Sequence, residues 1–255
     1  MNRINKLFKE EKNNILSIYF TAGYPSLNDT TEIIKTLDEC RVDLIEIGMP
    51  FSDPIADGPV IQDSSNIAIK NGMNISVLFG QLKLIRNITQ IPIVLMGYLN
   101  PVYQYGYENF INKIIDCDID GVIIPDMPLS DYENNFKHQF DKFNISFISL
   151  ISPNTSDKRI KEIDSISNGF IYVVSSSSIT GKRSDFSDEQ INYFKRVDDL
   201  KLINPKIIGF GISDRDSYRS ACQYSNGAII GTSFIKALSG NNLKKSIKNY
   251  ISGIR

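Results

Sequence analysis

The feature that most limits what this chain can fold into is a repeated alternation. Eight short runs rich in Ile, Val and aromatic residues recur from end to end, separated by longer stretches with helical spacing. The first four read Ile15-Leu-Ser-Ile-Tyr-Phe20, Asp43-Leu-Ile-Glu-Ile-Gly48, Ile91-Pro-Ile-Val-Leu-Met96 and Asp120-Gly-Val-Ile-Ile124. The others are Ile145-Ser-Phe-Ile-Ser-Leu150, Phe170-Ile-Tyr-Val-Val-Ser175, Lys206-Ile-Ile-Gly-Phe210 and Asn226-Gly-Ala-Ile-Ile-Gly231. Each is largely apolar on both faces, as in strands covered on two sides of a parallel sheet. Ser26, Asn74, Ser130, Ser156, Ser187 and Ser213 open the intervening segments as candidate N-caps. Eight strand–helix units in 255 residues predict an α/β fold, a (β/α)8 TIM barrel with an extra N-terminal helix, in one domain over residues 1–255. A doubly wound open sheet is the rival arrangement, but no G-x-G-x-x-G follows the first run.

Composition narrows the partners. Lys and Arg number 28 against 29 Asp and Glu, a formal charge of −1, so there is no basic stripe for nucleic acid and no polybasic membrane anchor. The apolar runs are far shorter than the roughly 20 residues of a spanning helix, and the polar start resembles no signal peptide. A cytoplasmic location is the expectation. Cys40, Cys117 and Cys222 form no C-x-x-C pair, which predicts free thiols and no zinc site. The lone histidine, His138, sits in a polar stretch with Phe136 and Phe140 at helical spacing and is expected at the surface. Without a histidine cluster, metal ligation is not expected. Acid–base chemistry falls to carboxylates, Tyr or Lys.

Two intervals between runs are longer than the rest, and their extra residues lie at Pro50–Ile61 and Ser176–Ser187, each after a strand's C-terminal end. That is the face on which barrels carry their active sites. Glu46 interrupts the second run near that end, at the same parity as Leu44 and Gly48. A carboxylate inside a dry strand is costly unless paired, and desolvation raises its pKa toward the range useful for proton transfer. A structural Glu satisfied by backbone or a tyrosine is the alternative. Asp57 follows in Pro50-Phe-Ser-Asp-Pro-Ile-Ala-Asp-Gly-Pro59. Asp53 and Asp57 both suit turns, yet a carboxylate on the strand and one on its loop can approach a substrate from different sides.

The seventh run ends in Gly209-Phe-Gly-Ile-Ser-Asp214, and the eighth in Gly231-Thr-Ser233 before an apparent helix. Barrels often bind phosphate with these two loops, through glycine N–H groups and a helix start. Ordinary turns are the alternative. The run Ser175-Ser-Ser-Ser178, followed by Lys182 and Arg183, suggests a lid or a plain polar loop. Tyr172 is expected to point inward with a hydroxyl that needs a partner, and Asp126 to serve a turn.

These segments resemble the tryptophan synthase α subunit family. Leu44-Ile-Glu-Ile-Gly-Met-Pro-Phe-Ser-Asp-Pro-Ile-Ala-Asp-Gly-Pro59 is similar almost residue for residue. The likeness extends to Phe20-Thr-Ala-Gly-Tyr-Pro25, Met96-Gly-Tyr-Leu-Asn-Pro101, Pro125-Asp-Met-Pro128, Gly209-Phe-Gly-Ile-Ser213 and Gly231-Thr232. The resemblance implies cleavage of indole-3-glycerol phosphate to indole and glyceraldehyde 3-phosphate. It makes Glu46 the general acid–base, Asp57 the carboxylate paired with the indole nitrogen, and Tyr172 the tyrosine beside the substrate. It assigns Gly181, Gly211, Gly231 and Thr232 to phosphate, and Tyr19, Met96, Ile123 and Phe210 to the indole pocket. Ser178 stands where the family usually has Gly, and Thr232 where Ser is commoner.

The residues suit that chemistry. A protonated carboxyl delivers a proton to indole C3, a second carboxylate balances the ring cation, and the conjugate base takes the C3′ hydroxyl proton. A Schiff-base aldolase needs a Lys at a strand's C-terminal end, and no run ends in one. Two alternatives are a barrel that serves mainly as a regulatory partner and another phosphate-binding isomerase or cyclase. The resemblance further implies no cofactor in this chain, and a β subunit carrying pyridoxal phosphate in an α2β2 complex. The docking face is expected at Ser52–Pro54, Asn100–Val102 and Met127–Pro128.

Overall fold

The computed structural model describes residues 1–11, 13–175, 186–240 and 242–255. Among the described residues nine strand segments carry the fold: β1 (Ile15–Thr21), β2 (Leu44–Gly48), β3 (Ile93–Met96), β4 (Gly121–Ile123), β5 (Ser146–Phe147), β6 (Ser149–Ile151), β7 (Ile171–Val174), β8 (Lys206–Gly209) and β9 (Gly227–Ile230). They lie in the order β5-β4-β3-β2-β1-β9-β8-β7-β6, and every pairing is parallel. The two ends of that order are separated in the chain by Ile148 alone, so the sheet runs back into itself.

The single strand expected over 145–150 is therefore two short segments, the first paired with β4 and the second with β7. Strands in a small barrel tilt and stagger against their neighbours, and this one changes partner along its length. Counted by position the barrel has eight staves, which excludes the open sheet.

Alternation along the strands sorts their side chains into two layers. Ile15, Leu44, Val94, Ile123, Ile148 and Ile207 fill the barrel's interior. Leu16, Ile45, Leu95, Val122, Phe147 and Ile208 face the surrounding helices. The expected N-terminal helix, Arg3–Glu10, closes the bottom. Its Ile4 is completely buried among the interior residues, worth roughly 1.5–3 kcal/mol of transfer free energy. The Phe8 ring packs on Phe170, with centroids 5.8 Å apart. Asn2 caps the helix by accepting from Asn5 N, and its amide nitrogen donates to Asp120 O, Asn144 O and Ser146 Oγ. Beneath it, the buried Asp120 pairs with Arg3 at 3.1 Å and Arg86 at 2.5 Å. With the N-terminal end plugged, the open end is the C-terminal one.

Asn74, Ser156 and Ser187 cap helices as expected, Ser187 with Gln190 in a reciprocal capping box. Three caps differ. Asp29 accepts from Ser26 N and opens its own helix after Asn28. Pro128, extended and without an N–H to satisfy, precedes the helix that contains Ser130. Asp214 replaces Ser213, its carboxylate accepting from Ser217 N at 2.9 Å. Among the described residues no helix is long and apolar enough to cross a membrane. Cys40, Cys117 and Cys222 are free, and His138 is exposed.

Candidate active site

Glu46 stands on β2 with Tyr19 of β1 as its register partner on one side and Val94 of β3 on the other. It is fully buried. Ser17, two residues before Tyr19 and on the same face of β1, donates its hydroxyl to Glu46 Oε1 at 2.8 Å. Oε2 is equally buried and has no hydrogen-bond partner among the described residues. Leaving such an atom unpaired costs about 1–3 kcal/mol, and native proteins leave few of them without a functional reason. Burial pushes the carboxyl up to about 7, and the single bond from Ser17 opposes this only in part. Near neutral pH the side chain is therefore poised between acid and base.

Asp57 reaches the same region from the loop after β2. Two turns shape that loop, Asp57 N donating to Pro54 O at 3.0 Å and Ile55 N to Asp53 O at 2.9 Å. Gln62, on the helix Pro59–Lys70, ties it down through Pro54 O and Asp57 O. Tyr98 fixes the carboxylate itself. Its hydroxyl accepts from Ala56 N and donates to Asp57 Oδ2, each at 3.1 Å. Burial raises Asp57 to about 6 against that hydrogen bond, so it is largely an anion above that pH.

Two tyrosines share the interior with Glu46, and each rests over a glycine. A Cβ on Gly48 would lie 2.2 Å from the Tyr19 hydroxyl, and one on Gly209 would lie 2.2 Å from that of Tyr172. Only glycine leaves room for these phenols at the upper rim of the barrel core. Burial, and next the Glu46 charge, keeps Tyr172 protonated far above its ordinary range. Its ring meets Phe210 edge-on at 6.0 Å.

A cavity opens above this floor. Tyr19, Met96, Phe210 and Asp57 line it, together with Phe51, Pro54, Tyr98 and Leu150. Ile123 and Tyr172 belong to the packing beneath, in the apolar group that includes Tyr19, Met96, Leu150 and Phe210, and the buried Glu46 lies near enough to Tyr172 for its charge to act on the phenol. The apolar walls suit a flat aromatic ring, with one carboxylate at the side and one below. Gly211, Gly231 and Thr232 lie at the rim after β8 and β9. Gly211 has φ +76° and is exposed, and Phe210 before it also has positive φ, +68°. Thr232 opens the helix Thr232–Ala237, whose first internal bond runs from Ile235 N to Gly231 O. The N–H groups of its first turn thus have no intrahelical acceptor.

Gly181, with Ser178, Lys182 and Arg183 of the expected lid, lies outside the described residues. Asp126 lies in the turn after β4, and its carboxylate reaches across to accept from Leu99 N, at the start of the helix after β3, at 2.9 Å. The expected docking face needs correction: Pro54, Val102 and Met127 are buried. Ser52, Asp53, Asn100 and Pro128 are exposed, and so are the neighbouring Ile55 and Tyr103. Sequence reasoning passed over Ser17, Tyr98 and Leu150. Ser17 carried the signal that singled out Glu46, a polar residue at inward parity in an apolar run. Among the described residues no group of three or more His, Cys, Asp or Glu is placed to hold a metal ion.

The barrel, the apolar cavity at its C-terminal end and the two carboxyls raised by burial define the class: an α/β barrel with a site suited to acid–base chemistry. A family profile described as tryptophan synthase alpha chain matches residues 5–252. The tryptophan synthase alpha chain of Flavobacterium psychrophilum is 54% identical over 254 residues, covering all of both chains. Among solved structures, the tryptophan synthase complex of Pyrococcus furiosus contains a chain 32% identical, with TM-score 0.85 over 95% of this chain and 98% of that one. The tryptophan synthase subunit alpha of Legionella pneumophila gives TM-score 0.89 at 28% identity, covering 100% and 97%. The chain belongs to the tryptophan synthase alpha chain family.

Proposed function

We propose that Glu46 and Asp57 are the two groups that carry this family's reaction in this chain. The reaction is the cleavage of indole-3-glycerol phosphate to indole and glyceraldehyde 3-phosphate, so the chain is a carbon–carbon lyase of tryptophan biosynthesis. The observation that carries the assignment is Glu46: a dry carboxyl raised to about 7, with one oxygen held by Ser17 and the other without a partner among the described residues.

In this reading the indole ring lies against Met96, Leu150 and Phe210, with Ile123 and Tyr172 beneath and Tyr19 at its side. Protonated Glu46 gives its proton to indole C3, and the ring becomes a cation. Asp57, held by Tyr98, lies beside the ring nitrogen and balances that charge where little water competes. The Glu46 carboxylate then takes the C3′ hydroxyl proton as the C3–C3′ bond breaks. The bonding electrons return to the indole ring, and the aldehyde of glyceraldehyde 3-phosphate forms. Glu46 ends protonated, ready for another cycle. Gly211, Gly231 and Thr232 hold the phosphate through backbone N–H groups, with Gly181 as a further contact.

The pyridoxal phosphate of tryptophan synthase belongs to the β subunit, and the cleavage falls to this chain's side chains. The chain pairs with a β subunit in an α2β2 assembly, in keeping with the complex from Pyrococcus furiosus. Exposed Ile55, nearly free of protein contact at 93% exposure, marks the loop after β2 as part of that contact. A cytoplasmic location and one domain over residues 1–255 complete the proposal. The first and last helices support the latter, since Ile4 and Ile254 are buried against the same barrel.

Steady-state release of indole from indole-3-glycerol phosphate tests the function. The expected result is slow turnover by the chain alone and a rise of at least tenfold with its cognate β subunit, because closure of the mouth excludes water and completes the site. No indole release under either condition would contradict the assignment. Full activity alone, with no complex in sedimentation at micromolar concentrations, would contradict only the partnership.

A further inference from the structure

The helix Leu243–Ile254 buries Ile247, Ile251 and Ile254 against the barrel's outer layer. Its Tyr250 does something different. The phenol donates to the carbonyl oxygen of Ser213 at 3.1 Å, and Ser233 Oγ lies 2.5 Å from the same phenol oxygen. A carbonyl only accepts, so the one phenolic proton is committed to Ser213 and the Ser233 hydroxyl must be the donor of the second bond. Ser213 sits two residues beyond Gly211 in the loop after β8. Ser233 is the second residue of the helix that begins at Thr232 after β9. One hydroxyl therefore ties together the two loops at the rim. The Phe234 ring fixes Tyr250 edge-on, with centroids 5.6 Å apart. Burial, aided by Asp214 and opposed by Ser233, pushes Tyr250 up to about 12, which keeps its proton in place at any working pH.

We infer that Tyr250, with Ser233, is a positioning residue for phosphate recognition: it holds the β8 and β9 loops at the separation that lets Gly211, Gly231 and Thr232 share one phosphate. The inference rests on the reading of those three residues as the phosphate contacts. Neither hydroxyl touches the ring pocket or the carboxylates, so the effect belongs to the phosphate end of the substrate. Loops held in advance spare the substrate the entropy of ordering them. Losing one such tie weakens binding by about as much as one hydrogen bond is worth, roughly threefold to tenfold.

The test separates phosphate affinity from chemistry. Tyr250→Phe keeps the ring and removes the tie. With the β subunit present, the KM for indole-3-glycerol phosphate is expected to rise about threefold to tenfold, with kcat unchanged within twofold. Glycerol 3-phosphate binding should weaken by the same factor, and indole binding should not change. Ser233→Ala should reproduce this, and Ser233→Thr, which keeps the hydroxyl, should behave as wild type. Gly211→Val serves as the reference, because its branched side chain blocks a φ of +76° and the approach of an anion. If Gly211→Val weakens glycerol 3-phosphate while Tyr250→Phe does not, the positioning role is wrong and the phosphate site stands. Should Gly211→Val leave that affinity intact, the phosphate site itself is wrong, and the inference falls with it. Equal losses of kcat, indole affinity and phosphate affinity in Tyr250→Phe would show a general packing role and overturn the inference.

Discussion

Glu46→Gln is expected to lower kcat for indole-3-glycerol phosphate cleavage by about a thousandfold, within the range for removal of a general acid–base. Glutamine fills the same volume, and its amide oxygen still accepts from Ser17, so substrate affinity should hold within a few-fold. A residual rate within tenfold of wild type would remove Glu46 from the mechanism. The same variant should gain stability at high pH, and the sign follows from the pKa. Burial raises the folded carboxyl to about 7 from an ordinary value near 4.5, so the native state binds the proton more tightly than the unfolded chain. The resulting stabilisation is complete below about 4.5 and is lost as the pH rises through about 7. The loss amounts to roughly 3 kcal/mol. Urea unfolding at pH 5 and pH 8.5 should show the wild-type chain losing most of that, roughly 2.5 kcal/mol, beyond the loss in Glu46→Gln across the interval. Parallel losses in the two proteins would mean that Glu46 is solvated after all.

Asp57→Asn is expected to lower kcat by about a hundredfold or somewhat more, the scale for losing one preorganised electrostatic partner of a transition state. The amide keeps the shape and accepts from Tyr98, but it cannot balance a ring cation. The loss should be smaller than at Glu46, because protonation of C3 still occurs from the intact acid. An equal or larger loss would reverse the order of the two roles. Tyr98 separates charge from placement: it fixes Oδ2 of Asp57 through a bond of 3.1 Å, and the neutral variant retains that bond.

The barrel was legible because its strands are short, apolar and evenly alternated with helical segments. Where one strand changes neighbours at Ile148, composition carries no trace of the break, since the residues on either side are ordinary strand formers. Glu46 was visible for a plain reason: a carboxylate within Leu44–Gly48 has nowhere wet to go. Asp57 is different. Turn chemistry accounts for an Asp before Gly58, so its pairing with Glu46 could be noticed from position, but the role proposed for it beside the ring nitrogen comes from the family resemblance. Leu150 could not have been distinguished from core, being one more apolar residue in an apolar run. Tyr98 lay inside a segment already noticed, but nothing in its surroundings foretold a bond to a carboxylate 41 positions away. Loop prolines and apolar residues misled the docking face. Pro54 turns inward to line the cavity, and Val102 and Met127 join the outer packing. Exposed Ile55, one residue beyond Pro54, is the apolar residue this loop leaves outside.

In the proposed mechanism the reaction needs Glu46 as a neutral acid while Asp57 is an anion. The pH dependence of kcat/KM, with indole-3-glycerol phosphate and the β subunit present, tests it most directly, since that ratio reports the ionisations of the free enzyme. Activity should fall below about 6 as Asp57 takes a proton and above about 7 as Glu46 loses one. The residual activity of Glu46→Gln should lack the alkaline fall and keep the acidic one. A wild-type profile that stays level from pH 7 to pH 9, or an alkaline fall that survives in Glu46→Gln, would show that Glu46 is not the acid.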